Sequence, residues 1–361
     1  MINISWRKVL TKNIVSSYTG IIDYLGMYGV DWRKKVKQNV EYFHEVHDRD
    51  FISLGEYIQR IGIHILLDWD GYSNNGLRPM GLFAMQSTPL AVNHQEYLGT
   101  IGGEFTQYIV TDTFASPLYA EEFHTEKFIW LPHCFFINSF PNLYPLLPRP
   151  IRTLPTEQSP EIHGCGGPPA TFIYCNLNKH LKFNPHVFSS WLRTIKAVHG
   201  SVLCLNENPK EAKENIYAFV KNFDESLLTR VRYVPQTANP YDNQIRQVLM
   251  CNAALDTSHY GSHTTAVDAL WGAIPLITYG NGTEMSSRTA ASMLRTIGIE
   301  ELIAYNQKEY DSLSINIGIN RTFFESVRGR LVDAAEARNP RNPFWDLKRY
   351  RSHSCRMGIF M

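Results

Sequence analysis

Downstream of residue 170, short apolar runs alternate regularly with stretches in which apolar residues recur at helical spacing. Thr171 to Cys175 is a β-rich run, and from Pro185 to Val198 the residues Val187, Trp191, Leu192, Ile195 and Val198 fall on one helical face. Strands are then predicted at Ser201–Leu205, Val231–Val234, Ala253–Leu255 and Pro275–Thr278. Helices are predicted over 210–222, 240–250, 264–271 and 284–297, with more helix at Lys308–Ile317 and Phe323–Ala337. Strands alternating with helices at this interval predict a parallel sheet covered on both faces. The N-terminal half has the same character: a helix over Leu54–Ile61, then strands at Ile63–Leu67, Pro89–Val92, Tyr108–Val110 and Phe128–Leu131.

Between the halves the periodicity fails. Eight of the 19 prolines lie between Pro141 and Pro169, beside Gly164, Gly166 and Gly167, which reads as a linker. The expected organisation is an α/β domain over 1–140, a linker over 141–169, a second α/β domain over 170–340 and a tail over 341–361. With 361 residues, 44% of them hydrophobic, the chain can bury two such cores. No period of 20 to 50 residues recurs.

Charge adds only exclusions. Thirty-five basic residues nearly cancel 34 acidic ones, so no overall field draws the chain to nucleic acid or to an anionic membrane. No run approaches the roughly 20 apolar residues of a membrane span, and the start lacks a signal-peptide core, so a cytosolic or nuclear location is expected. The six cysteines lack paired metal or redox spacing, and most are expected to be buried thiols in a reducing compartment.

Ligands of parallel α/β sheets sit beyond the carboxyl ends of the strands, where helices begin. That rule selects Gly261-Ser262-His263-Thr264-Thr265, between the strand ending at Leu255 and the helix running to Trp271. Glycine permits close approach, and hydroxyls and backbone N–H groups converge there as an anion site. His263 can donate a further hydrogen bond, and Asp268, one turn on, can accept from sugar hydroxyls. The alternative is that Ser262 and Thr264 only cap the helix and Asp268 only favours its dipole. Lys179 and Lys182, after the strand at 171–175, offer a cation for a phosphate, against the reading of solvated surface lysines. His64, ahead of Asp68-Trp69-Asp70-Gly71-Tyr72-Ser73, reads either as a cleft residue or as a core histidine. The histidines show no metal spacing.

Taken together, Tyr174-Cys175-Asn176-Leu177-Asn178-Lys179-His180-Leu181-Lys182, Leu255-Asp256-Thr257 and Gly261 to Pro275 resemble the catalytic region of protein O-GlcNAc transferases. The resemblance extends over roughly 60–350, through Ser287-Arg288-Thr289-Ala290-Ala291-Ser292, Glu301 to Asn306, Val327-Arg328-Gly329-Arg330, Gly62 to Leu66, Gly71-Tyr72-Ser73, Tyr108 to Asp112 and Leu131-Pro132-His133. It implies a GT-B fold, two Rossmann-like domains facing across a cleft. The implied reaction is inverting, metal-independent transfer of N-acetylglucosamine from UDP-GlcNAc to Ser or Thr hydroxyls of proteins, with no cofactor beyond the donor. Lys182, Thr264 and Thr265 match residues that hold the diphosphate, Asp268 the ribose ligand, and His263 a neighbour of the nucleotide. Lys179, Asn239, Gln244, Gly261 and Ser262 complete the nucleotide-sugar set, and His64, with Lys182, is placed on the catalytic side. The Thr-Thr-x-x-Asp segment is also similar to SPINDLY-type protein O-fucosyltransferases, which use GDP-fucose.

The departures are specific. No Asp-Phe-x-x-His segment precedes Val30, so the first domain is expected to lack its first strand. Gln244 and Tyr241 stand where the family has histidine and lysine, and the acceptor-side loop is altered to Gln95-Glu96-Tyr97-Leu98-Gly99-Thr100-Ile101-Gly102. The family's tetratricopeptide repeats are missing and are expected from a further N-terminal part. These changes keep a nucleotide-sugar-binding pseudoenzyme as the alternative to an active transferase.

Overall fold

The computed structural model describes residues 34, 37–38, 42–44, 46, 49–69, 71–72, 77–143, 165, 170–207, 209–234, 250–336 and 341–356. The chain divides into two compact units, Met1–Ile137 with Lys348–Met361, and Asn138–Leu347.

In the first unit, α1 (Phe51–Ile61) starts at Asp50, whose carboxylate accepts the N–H groups of Ile52 and Ser53, and stops at Gly62, left-handed at φ 72°. There follow β1 (Ile65–Asp68), α2 (Leu77–Ala84), β2 (Leu90–Asn93), β3 (Tyr108–Asp112) and β4 (Lys127–Leu131). The strands pair in parallel in the order β1-β2-β3-β4. Their carboxyl ends carry buried polar residues that bind the turns beyond. Asp68 accepts the N–H of Gly71 at 2.9 Å, and Asp112 accepts those of Phe114, Ala115 and Phe135 at 2.8 to 3.0 Å.

The second unit opens with the short α3 (Phe140–Leu143) and continues through β5 (Phe172–Asn176), α4 (Pro185–Ala197), β6 (Ser201–Asn206), α5 (Ala212–Asp224), β7 (Val231–Val234), β8 (Ala253–Leu255), α6 (Thr264–Trp271), β9 (Leu276–Tyr279), α7 (Met285–Ile297), β10 (Ile303–Ala304), α8 (Gln307–Ile319) and α9 (Arg321–Glu336). Its six strands are parallel, in the order β10-β9-β8-β5-β6-β7. From β5 the chain winds outward one way through β6 and β7, then returns to β5's other side and winds the opposite way through β8, β9 and β10. The reversal lies between β5 and β8. Trp191, Tyr174 and Tyr310 are buried against this sheet, and Trp191 donates to the Tyr310 hydroxyl at 3.0 Å. That hydroxyl donates at 2.8 Å to the carbonyl of Asp256, just past β8, so the core braces the strand end directly.

The last helix, α10 (Leu347–Arg356), belongs with the first unit for all but its first residue: Tyr350 bonds His94 at 2.6 Å and donates to the Phe135 carbonyl at 3.2 Å. Of the tail expected over 341–361, the described residues 341–356 include this helix.

The cysteine expectation is overturned. Cys165 is disulfide-bonded to Cys204 and Cys175 to Cys251. Cys175 and Cys204 are register partners on neighbouring strands, and Cys251 leads into β8 on β5's other side. This proximity arises from strand order, which spacing along the chain does not show. Cys134 is buried and carries no disulfide. Several expectations lie outside the described residues: the helix at 240–250 apart from Met250, most of the 141–169 linker, and the stretch before 34 where a first strand was sought.

Candidate functional site: an anion cradle at the sheet reversal

Segments from both sides of the reversal meet at the carboxyl ends of β5 and β8. Asn176, ending β5, donates to the Leu255 carbonyl at 2.7 Å and ties the two strand ends together. The chain then turns so that Asn178 donates to the Ser262 hydroxyl and accepts from the Thr265 hydroxyl, both at 2.7 Å. Asn178, Ser262 and Thr265 line one small pocket with Cys175 and Asn176. Asn178, inside the motif, bridges two hydroxyls expected at the ligand side.

The start of α6 decides between the two readings of its hydroxyls. No side chain caps this helix. The N–H groups of Ala266 and Val267 bond to the His263 carbonyl, whereas those of Thr264 and Thr265 have no partner among the described residues. Ser262 and Thr264 therefore do not cap the helix, which leaves two N–H groups at its positive end, a place where such groups can bind an anion.

Lys182 comes to the same place. It closes a short 3-10 turn, His180–Lys182, after β5, and its Nζ donates to the Gly261 carbonyl at 3.1 Å and sits 4.7 Å from the centre of the Tyr260 ring. Burial lowers the pKa of Lys182, the Asp256 carboxylate raises it, and Lys179 lowers it again. Lys179 itself is exposed, close enough for its charge to act on Lys182.

His263 is buried, with Nε2 at 2.9 Å from the Ser286 carbonyl. A carbonyl only accepts, so Nε2 carries the proton and spends it on α7. Burial first, and the Lys182 charge second, hold the ring at a pKa of about 3, so it is neutral. The same Ser286 carbonyl accepts the Gly261 N–H at 3.2 Å, and a Cβ on Gly261 would stand 3.3 Å from it. A side chain there would press on α7's backbone, so glycine eases the close approach.

Asp268 is half-buried by its accessible surface, yet its carboxyl is deep enough for burial to push its pKa up to about 7. No hydrogen-bond donor among the described residues reaches that carboxyl. A carboxyl in this state lacks the hydroxyl donors that a sugar diol would bring.

His64 stands at the amino end of β1 in the first unit. It is exposed and precedes β1, whereas the turns that follow the parallel strands of this sheet lie at their opposite ends, about 13 Å away for a four-residue strand. Asn239 and Gln244 lie outside the described residues. Among the described residues no group of His, Cys, Asp or Glu could hold a metal, and no helix is long and apolar enough to cross a membrane.

Comparison with known proteins fits this geometry. The model of glycosyl transferase family 41 matches residues 26–163 and 162–353. The chain belongs to that family. A family 41 chain should resemble known members beyond the motifs, and it does. It is 27% identical over 306 residues to the Arabidopsis thaliana protein named "Probable UDP-N-acetylglucosamine--peptide N-acetylglucosaminyltransferase SEC", covering 83% of this chain and 30% of that one. It is 22% identical over 425 residues to the Caenorhabditis elegans UDP-N-acetylglucosamine–peptide N-acetylglucosaminyltransferase, covering 89% and 36%. The chain thus spans about a third of the length of these relatives. Among solved structures, an O-GlcNAc transferase from Thermobaculum terrenum superposes with a TM-score of 0.76 at 18% identity, over 99% of this chain and 69% of that one. The fold is of the GT-B class, as the resemblance implied.

Proposed function

We propose that this chain is the catalytic region of an inverting, metal-independent glycosyltransferase that moves N-acetylglucosamine from UDP-GlcNAc to Ser or Thr hydroxyls of proteins. The observation that carries the reading is the convergence of Lys182 with the unpartnered N–H groups of Thr264 and Thr265, which come from opposite sides of the sheet reversal. The names of the related proteins from Arabidopsis and Caenorhabditis specify the same donor and a peptide acceptor.

The chemistry follows from the leaving group. The acceptor oxygen bonds to the anomeric carbon, inverting it, as the bond from that carbon to the β-phosphate oxygen breaks, and the hydroxyl proton is released to solvent. Negative charge grows on UDP. The Lys182 ammonium and the N–H groups at the start of α6 are placed to take it up, and loss of one such donor typically lowers the rate by about 10²–10³. Asp268 would accept the ribose hydroxyls. The repeat region that selects acceptors is proposed to lie in a further N-terminal part of the protein.

Calorimetric titration with UDP tests the site. Lys182→Ala removes a charge-assisted hydrogen bond of about 1.5–3 kcal/mol and is expected to weaken UDP roughly 10- to 100-fold. Equal affinity in both proteins would sink the assignment. Turnover is read separately, as UDP released from UDP-GlcNAc with an acceptor peptide present.

A further inference from the structure

Asp256 has no role in the reading above, yet it stands at the centre of the cradle. It directly follows β8 and is fully buried. Its Oδ1 accepts the N–H groups of Thr257 at 2.8 Å and Ser262 at 2.7 Å, and its Oδ2 accepts the Thr278 hydroxyl of β9 at 2.6 Å. The loop 257–262 therefore closes on one carboxylate, with the Thr257 hydroxyl pinning the Tyr260 carbonyl at 2.7 Å as a further tie. A Cβ on Gly261 would stand 3.4 Å from Oδ2, so the loop's glycine packs over the acid. On the solvent side of that glycine is Lys182, held by the Gly261 carbonyl.

The loop is thus tied to the carboxylate by the Ser262 N–H and to the ammonium by the Gly261 carbonyl. We propose that Asp256 is a positioning residue of the diphosphate site: its carboxylate fixes the loop that presents Gly261 and Ser262, and its negative charge keeps Lys182 an ammonium in a half-buried place. This rests on the donor-site reading above. Burial, the largest effect, raises the Asp256 pKa, and the Thr278 and Ser262 side chains with the two backbone N–H groups on Oδ1 work against it by favouring the charged form. Of the other groups facing Lys182, Lys179 repels it, His263 is uncharged, and the Tyr260 ring face attracts it without carrying a charge. Asp256 is the anion that offsets its desolvation.

Two variants separate the charge from the scaffold. Asp256→Asn keeps the shape and the Oδ1 acceptor, and Thr278 can turn to accept from the new amide, so only the charge is lost. Thr278→Val keeps the charge and loosens the anchor on β9. The titration midpoint of Lys182 is followed by NMR of isotope-labelled lysine side chains, assigned with Lys182→Arg, and UDP affinity is measured at pH 7 and pH 9. Asp256→Asn is expected to move the Lys182 midpoint to lower pH and to weaken UDP about tenfold, more at pH 9 than at pH 7. Thr278→Val should weaken UDP a few-fold at both pH values without lowering the midpoint. A Lys182 midpoint unmoved by Asp256→Asn overturns the proposal. If that variant does not fold, unchanged UDP affinity in Thr278→Val overturns it instead. Absence of UDP binding in the wild-type protein would end the donor reading, and the Lys182 midpoint alone would still decide the role of Asp256.

Discussion

Asp268 offers the clearest single-residue test after Lys182, because its carboxyl pays for burial without a donor to relieve it. A carboxyl whose pKa rises from the ordinary value near 3.9 to about 7 binds a proton in the folded state that the unfolded chain has already lost. Its burden is absent below about pH 4, grows as pH rises, and is complete above about pH 7. Asp268→Asn is therefore expected to stabilise the ligand-free protein at pH 8 and to leave it nearly unchanged at pH 4, as read from denaturant melts at the two pH values. It should also weaken UDP binding, and a variant with full affinity would remove the ribose assignment. At this scale the sequence was informative about place: Lys182 and the run from Gly261 to Asp268 come together beyond the ends of β5 and β8, where the rule for parallel sheets puts them. The contacts of Asn178 and Asp256 were not legible in it. Each works by bridging segments more than five residues apart, or from neighbouring strands, and those partners are set by strand order.

Elements with a strong period were read well, and their bounds moved by only a few residues. The strand at Val231–Val234 and the helix at 264–271 appear as predicted, because flanking turns and the apolar run agree. The helix over Leu77–Ala84 contains Pro79, which hides it from a periodicity count, and β10 has only two residues. The helix over Leu347–Arg356 is too polar to announce itself. Within the second unit, α8 passes so close to β5 that a Cβ on Gly318 would overlap the Tyr174 hydroxyl, which donates to the Ser314 carbonyl at 2.7 Å. Gly318→Ala should cost about 1–3 kcal/mol by overpacking, despite alanine's better helix propensity. Thermal or urea melts compare it with Gly329→Ala, where a Cβ meets nothing within 4 Å and a small gain is expected.

For the molecule as a whole, two disulfides join parts of the second unit separated by 39 and 76 residues. Loops of that size suggest about 2–5 kcal/mol of stabilisation per bond, so the protein should melt at a distinctly lower temperature after reduction. Identical melting with and without reductant would show that the bonds do not matter in solution. The anion cradle has a consequence for the same unit. Its lysine comes from the half of the sheet wound through β5, β6 and β7, and its helix start from the half wound through β8, β9 and β10. A bound nucleotide would act as a clasp across a seam, so amide hydrogen exchange should slow on both flanks together, and neither flank alone should recognise the nucleotide.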